Sequence, residues 1–180
     1  MIYVTSDLHF GHDREFIWKV RGFSSIDEMN EVYVDRWNSL VTNDDDGYIL
    51  GDLMLGSPEN IEFIRRLNGR LHIVYGNHCT PFRRDLYNKL PNLVEANWVI
   101  MLDYKKYHFY MSHFPTLTGN LDDLNKPLKN KIINLCGHTH TTNPFVDMDK
   151  GIIYHCEVDA HNSYPVLLDN IINDIKNFTN

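Results

Sequence analysis

The chain is short of cysteine, of positive charge and of long apolar runs, and each shortage narrows what it can be. Its three cysteines, Cys79, Cys136 and Cys156, are odd in number and form no C-x-x-C pair, which disfavours a disulfide framework and thiolate-bound structural zinc. A reducing cytoplasm is the simplest setting. The formal charge of -7 argues against a surface built to hold extended nucleic acid, because that affinity comes mostly from Lys and Arg neutralising phosphates. A small phosphorylated substrate fits better, and bound divalent cations would reverse the local field at one cleft. Residues 1–9 carry no basic leader, and no run approaches a membrane span. Neither secretion nor membrane insertion is expected.

What remains is an ordinary globular composition, 43% hydrophobic and 12% aromatic in 180 residues, without internal repeat or linker. This is enough chain for one domain, 1–180, with its own core. Short apolar runs at 2–5, 48–50, 71–75, 98–102, 107–111, 132–136 and 152–154 predict strands, mostly buried on both faces. Ser25 to Glu28 matches a capping box, and Met29, Tyr33, Trp37 and Leu40 recur at helical spacing, predicting a helix that ends near 43–47. Ser57-Pro58 predicts a second helix start, with Ile61, Ile64 and Leu67 as its apolar stripe. A last helix is expected over 167–178. The runs at 98–102 and 107–111 read as a hairpin, so the sheets are expected to be mixed. The fold class is α/β.

The informative residues are those just past the strand ends. The first strand leads into Asp7-Leu8-His9, the second into Gly51-Asp52 and the third into Gly76-Asn77-His78. The fifth leads into Ser112-His113 and the sixth into Gly137-His138-Thr139-His140. In open α/β sheets ligands bind beyond the strand ends, where loops converge on a rigid support. The glycines preceding these residues suit tight exits. Carboxylate oxygens, imidazole nitrogens and one amide oxygen make a donor set for manganese, iron, zinc, cobalt or nickel rather than for calcium or magnesium alone. One short motif would be weak, since histidines often serve as satisfied structural groups. An ordered set at five strand ends would strand several costly polar groups if it held nothing.

With DLH at 7–9, GD at 51–52, GNH at 76–78, SH at 112–113 and GHTH at 137–140, the chain strongly resembles the calcineurin-like metallophosphoesterase superfamily. Its DLHFGH opening and VDAHNSYPV stretch at 158–166 are similar to small stand-alone phosphoesterases of bacteria and phages. The resemblance implies a four-layer α/β/β/α sandwich of two mixed sheets, with a binuclear metal centre at one sheet edge. It implies that one divalent ion takes Asp7, His9, Asp52 and His140, that the other takes Asp52, Asn77, His113 and His138, and that Asp52 bridges them. It further implies hydrolysis of a phosphodiester or phosphomonoester, a nucleotide among the candidates, by attack of a metal-bridging hydroxide. His78 would stabilise the phosphate or protonate the leaving oxygen. Related chains carry an acidic residue where this one has Cys79; either another carboxylate, Asp13 or Asp85, reaches His78, or the leaving group needs little protonation, or activity is low. The rival readings are a metal-dependent nuclease and a non-catalytic scaffold of the same fold that binds a protein partner.

Other residues carry weaker signals. His12 stands where it can touch substrate or support a metal ligand, with a plain surface role equally open. His72 and His108, inside strand runs, are expected to make cross-strand pairs or face solvent. Arg83 and Arg84 are expected to be solvated rather than to clamp a phosphate. Asp44 to Asp46 reads as a turn. The stretch 114–131 is long enough to overhang the cleft and select substrate.

Overall fold

A computed structural model describes residues 1–116 and 132–179. Two mixed sheets form the body. The first is built from β1 (Ile2–Thr5), β2 (Asp46–Leu50), β3 (Arg70–Val74), β4 (Leu93–Asn97) and β9 (Val166–Leu167), in the order β4-β3-β2-β1-β9. Its strands are parallel except β9, which runs against β1. The second sheet is built from β5 (Val99–Tyr104), β6 (Tyr107–Ser112), β7 (Ile132–Cys136) and β8 (Ile153–His155), in the order β5-β6-β7-β8. Strands β5 and β6 are the expected hairpin, and β6, β7 and β8 run parallel. This is the α/β sandwich of two mixed sheets that the family resemblance implies.

Side-chain alternation along the central strands explains why two sheets pack. Val4, Tyr48, Leu50 and Val74 of the first sheet face Phe109, Met111, Ile133, Leu135 and Tyr154 of the second in one buried cluster. Their neighbours Tyr3, Ile49, Leu71 and Ile73 point the other way, onto α2 (Ile26–Leu40) and α3 (Ile61–Arg65). A strand buried on both faces has to be apolar at nearly every position. The terminal helix α5 (Leu168–Thr179) inserts Leu168, Ile171, Ile172 and Ile175 into the inter-sheet cluster, the i, i+3, i+4, i+7 stripe expected of it. Among the described residues no helix is long and apolar enough to cross a membrane.

Several boundaries differ from expectation, each for a physical reason. Helix α2 is capped as predicted, Ser25 Oγ accepting from Glu28 N at 3.1 Å, but Glu28 reaches back to the N–H of Ser24 rather than that of Ser25. It stops at Leu40 because Val41, fully buried in the first cluster, turns extended. The Ser57-Pro58 start opens as a 3-10 turn, Pro58–Asn60, with no cap bond from Ser57, and only then becomes α3. Among the described residues two α-helices were not foreseen, α1 (Glu15–Trp18) and α4 (Pro81–Tyr87). The start of α4 was legible, since Thr80 caps Arg83 N and Pro81 takes the first turn, the same signature as Ser57-Pro58. Strand β4 escaped notice because its Leu-Val-Glu-Ala-Asn sequence is half exposed at a sheet edge.

Among the described residues a backbone bridge joins the two sheets, and that junction positions the polar strand ends. Beyond β1, Ser6 pairs with Glu157, its N–H donating to Cys156 O at 3.1 Å while its carbonyl accepts from Val158 N at 3.2 Å. The C-terminal ends of β1, β2 and β3 therefore meet the exits of β6 and β7 across a single seam.

Candidate metal centre

All of the strand-end residues singled out in the sequence arrive at this seam. Asp7 Oδ1, His9 Nε2 and His140 Nε2 form one compact group, and Asp7, Asp52 and His113 form another. Asn77 Oδ1 lies 2.8 Å from His113 Nε2 and 3.1 Å from His138 Nδ1, which is itself 3.2 Å from His113 Nε2. Asp52 Oδ2 stands between the groups, 3.4 Å from His113 Nε2 and 3.9 Å from His9 Nε2.

The backbone is bent to bring them in. Asp7, His9, Asp52, His138 and His140 all have positive φ, between 48° and 78°. Such a conformation costs a non-glycine residue of order 1–3 kcal/mol and persists only where surrounding structure over-determines it. The strain is held by hydrogen bonds: Asp7 N donates to Gly51 O and His9 N to Asp52 O, while Asp7 Oδ2 accepts from Ser6 Oγ at 2.6 Å and His138 N at 2.8 Å. Gly51, at φ 96°, takes the turn before Asp52. Gly137 is required for clearance, since a Cβ there would lie 2.3 Å from Asp7 Oδ2.

The donor set fits cations on two counts. Asp7 is fully buried, yet its Oδ1 has no hydrogen-bond partner, and a buried carboxylate oxygen without a donor is costly unless it meets positive charge. The second count is His113, whose Nδ1 lies 2.9 Å from the carbonyl of Leu50. A carbonyl only accepts, so Nδ1 carries the proton and the lone pair of neutral His113 is on Nε2. That lone pair faces the Asn77 and Asp52 oxygens, an assembly of acceptors that a metal ion would satisfy.

Electrostatics point the same way. Burial would raise the carboxyl of Asp7, but the neighbouring imidazoles of His9, His113 and His140 hold it well below the usual carboxylate range. Asp52 is likewise lowered against its burial, chiefly by His113. Both stay ionised at neutral pH. Burial, followed by the neighbouring charges of His9 and His78, pulls His12 down to about 4, so it is neutral. Its Nδ1 lies 3.3 Å from His9 Nδ1, which places it against the His9 ring as well as on the cleft wall.

His78 lies over the cleft, its side chain 39% exposed and its Nε2 3.9 Å from Asp52 Oδ2. Its own N–H donates to Asp52 Oδ1 at 3.0 Å. The proposed substitutes for an acidic neighbour do not reach it: Asp13 and Asp85 are both exposed, and no hydrogen bond joins either to His78 among the described residues. Cys79 is buried in the first core, its sulfur accepting from Gly76 N at 3.2 Å, and burial pushes its thiol up. All three cysteines are free and buried.

The arginines correct the expectation of solvated side chains. Arg83 donates to the carbonyl of His78 at 2.7 Å and so braces the GNH loop, and the Arg84 guanidinium lies over the rings of Trp98 and Tyr75. His72 is buried, stacked on Tyr48 and bonded to Glu95 at 2.8 Å; His108 makes an exposed cross-strand pair with Asp103. Asp44 to Asp46 is not wholly a solvated turn, because Asp45 is buried and caps Thr42, while Asp46 opens β2 and grips Arg70. Of the stretch 114–131, only 114–116 lie within the described residues, where Phe114 packs edge-on against His113 and His138.

Two residues of the site were missed by sequence reasoning. Arg21, its side chain only 4% exposed, donates to both carboxylate oxygens of Asp159, at 2.9 and 2.8 Å, and to the carbonyl of Asp7 at 2.9 Å. Asp159 in turn lies 3.2 Å from His140 Nδ1. Arg21 Nη2, which can only donate, lies 3.0 Å from the same nitrogen, so Asp159 and Arg21 together hold the His140 ring in place. Asp159 belongs to the VDAHNSYPV stretch, which was a usable signal; Arg21 had none.

The calcineurin-like phosphoesterase superfamily domain matches residues 1–156. The uncharacterized protein MJ1445 of Methanocaldococcus jannaschii is 31% identical over 180 residues, covering 95% of this chain and 89% of that protein. The Gene 66 protein of Mycobacterium phage L5 is 33% identical over 103 residues, 53% of this chain and 47% of its own. The crystal structure of AQ665 from Aquifex aeolicus, a protein of unknown function, superposes with a TM-score of 0.72 at 21% identity, covering 96% of this chain and 98% of that one. That likeness is one of fold.

Proposed function

The chain belongs to the calcineurin-like phosphoesterase superfamily, and from that premise we propose that it is a divalent-metal-dependent hydrolase of a small phosphodiester or phosphomonoester, a class that includes nucleotides. The observation that carries the reading is the unpartnered, buried Oδ1 of Asp7 beside a ring of acceptors centred on Asp52.

In this reading Asp7, His9, Asp52 and His140 hold one ion, Asp52, Asn77, His113 and His138 hold the other, and Asp52 is shared. Manganese, iron, zinc, nickel and cobalt all suit the mixed oxygen and nitrogen donors. When bound, a pair of such ions supplies an acidified water and positive charge for the phosphoryl oxygens. The protein supplies the rest. Buried Asp7, His9 and His113 are fixed before substrate arrives, so little reorganisation opposes the reaction. His78, on the open side of Asp52, donates to the phosphoryl or leaving oxygen, and Arg83 holds its loop in place. Asp159 and Arg21 hold the His140 ring from its Nδ1 side, with Nε2 turned to the cleft.

A nuclease is less well supported, because the one cation among the described residues lining the cleft, Arg21, is matched by Asp159. A scaffold without catalysis would be favoured by loss of ligands, and every ligand position is retained here, with only the supporting residue at Cys79 changed. The free, buried cysteines suit a reducing compartment, and we place the enzyme in the cytoplasm as a single domain.

The test is hydrolysis of paired chromogenic monoester and diester substrates by metal-stripped protein with manganese, nickel, cobalt, zinc or magnesium restored, and with Asp52→Asn as control. Metal-restored turnover, nearly abolished in Asp52→Asn together with metal binding, is the expected result. Wild-type turnover in Asp52→Asn would refute the shared-ligand assignment, and failure to bind metal would refute the whole reading.

A further inference from the structure

The metal ligands occupy only one side of their cleft, a cavity of about 420 Å³, which is within the range that takes a small organic ligand. The opposite wall is Phe16, Ile17 and Val20. Ile17 is buried in the first core, but Phe16 is 67% exposed and Val20 80% exposed. Single exposed apolar side chains are ordinary on any protein. Here a large ring on α1 and a β-branched side chain in the turn after it, four residues apart, line the cleft that holds the metal ligands.

The wall is anchored at both ends of its segment. Lys19 N donates to Glu15 O at 3.0 Å and Arg21 N to Ile17 O at 3.4 Å, so α1 and the turn after it form one wound unit. Ile17 ties that unit to the core, and Arg21 ties it to Asp159 and Asp7. It also stands one ring away from the chemistry: Phe16 meets His12 edge-on at 5.8 Å between centroids, and His12 is 5.3 Å from His9 and 6.2 Å from His78. A phosphoryl group held at the ligands would therefore point its organic substituent along His12 onto Phe16.

The charge of the wall restricts what that substituent can be. Among the described lining residues the Arg21 cation is matched by Asp159, so nothing there recognises a second anionic group. An exposed ring flanked by aliphatic carbon prefers a flat partner, because aromatic pairs gain energy beyond the area they bury.

We propose that Phe16 and Val20, backed by Ile17, form the specificity subsite of this cleft and take a flat, uncharged aromatic substituent of the phosphate ester, whether a nucleobase or a simple aryl group. The proposal rests on the phosphoesterase reading of the metal centre and adds to it the class of ester. Nothing in the motifs identifies these residues, since their function follows from where α1 lies.

Direct binding separates the two ideas. Calorimetric dissociation constants would be measured for phenylphosphonate, methylphosphonate and the 5′-phosphonate analogue of adenosine monophosphate on manganese-loaded wild type, Phe16→Ala and Phe16→Tyr. The wild type should prefer phenylphosphonate to methylphosphonate by roughly tenfold, the factor that a good aromatic contact supplies. That ratio should fall towards unity in Phe16→Ala and return in Phe16→Tyr, which keeps the ring. A nucleoside phosphonate that shares the preference and its loss identifies a nucleobase as the substituent; one that binds no better than methylphosphonate identifies a simple aryl ester. An aryl-to-methyl ratio unchanged in Phe16→Ala would overturn the subsite. Binding of no phosphonate to any metal-loaded form would overturn the phosphoesterase reading beneath it.

Discussion

Asp159→Asn tests whether the site is held together by the buried pair that sequence reasoning missed. The substitution keeps shape and one acceptor oxygen but removes the charge facing Arg21, whose side chain is 4% exposed against 10% for Asp159. Surface ion pairs are worth little, but this one is not at the surface. Removing one partner of a buried pair costs about 3–5 kcal/mol, because the remaining charge stays desolvated. The retained amide oxygen still accepts from one guanidinium N–H, so the low end, about 3 kcal/mol, is expected. For a chain of this size that corresponds to roughly 6–12 °C in melting temperature. Urea unfolding of metal-free protein should show a lower midpoint at unchanged slope. Calorimetry should separately show a loss of about 10–100-fold in affinity for one of two metal ions, the cost of losing a carboxylate behind a ligand histidine. The double variant Arg21→Met with Asp159→Leu removes both charges and should recover most of the stability but not the metal affinity. If Asp159→Asn unfolds within about 0.5 kcal/mol of wild type and binds both ions unchanged, the pair neither supports the fold nor orients His140.

A second buried network gives a pH test. His155 is fully buried between Asp147 and Glu157, with ring nitrogens 2.9 and 3.0 Å from their carboxylates; burial alone would lower it, but the two carboxylates raise it above its ordinary value. A raised histidine contributes its full stability below the unfolded value of about 6.5 and loses it as pH rises through the higher folded value. His155→Gln should therefore be less stable than wild type by about 3 kcal/mol at mildly acid pH, with the gap closing towards alkaline pH in metal-free unfolding curves; a gap that widens with pH would refute the charged assignment. Gly137→Ala should drive a Cβ into the space of Asp7 Oδ2 and Ser6 Oγ, 2.3 and 2.2 Å away, and reduce metal binding measured by calorimetry. Wild-type affinity in that variant would mean Asp7 has room that this geometry denies it.

Much of this protein is legible without coordinates, for reasons that are local or periodic. Strands buried on both faces read as apolar runs, so β1, β3, β6 and β7 were visible. The stripe of α5 follows from 3.6-residue periodicity, and the Ser25 cap follows from side-chain hydrogen-bonding capacity. The motif residues from Asp7 to His140 could be grouped because each follows an apolar strand run, and in open α/β sheets ligands bind beyond the strand ends.

Tertiary structure decided the rest, because it depends on distances between residues far apart in sequence. Helix α2 ends early only because Val41 is needed in the core. Cys79 could not be placed until its sulfur was seen bonded to Gly76 N. Nothing local distinguishes Arg21 from a solvated arginine, since its role depends on Asp159, far away along the chain. Phe16 and Val20 read as ordinary surface until α1 and the turn after it are seen to line the cleft. Sequence alone determined which atoms could bind a metal; the packing of two sheets across one seam determined that they converge, what holds them and what faces them.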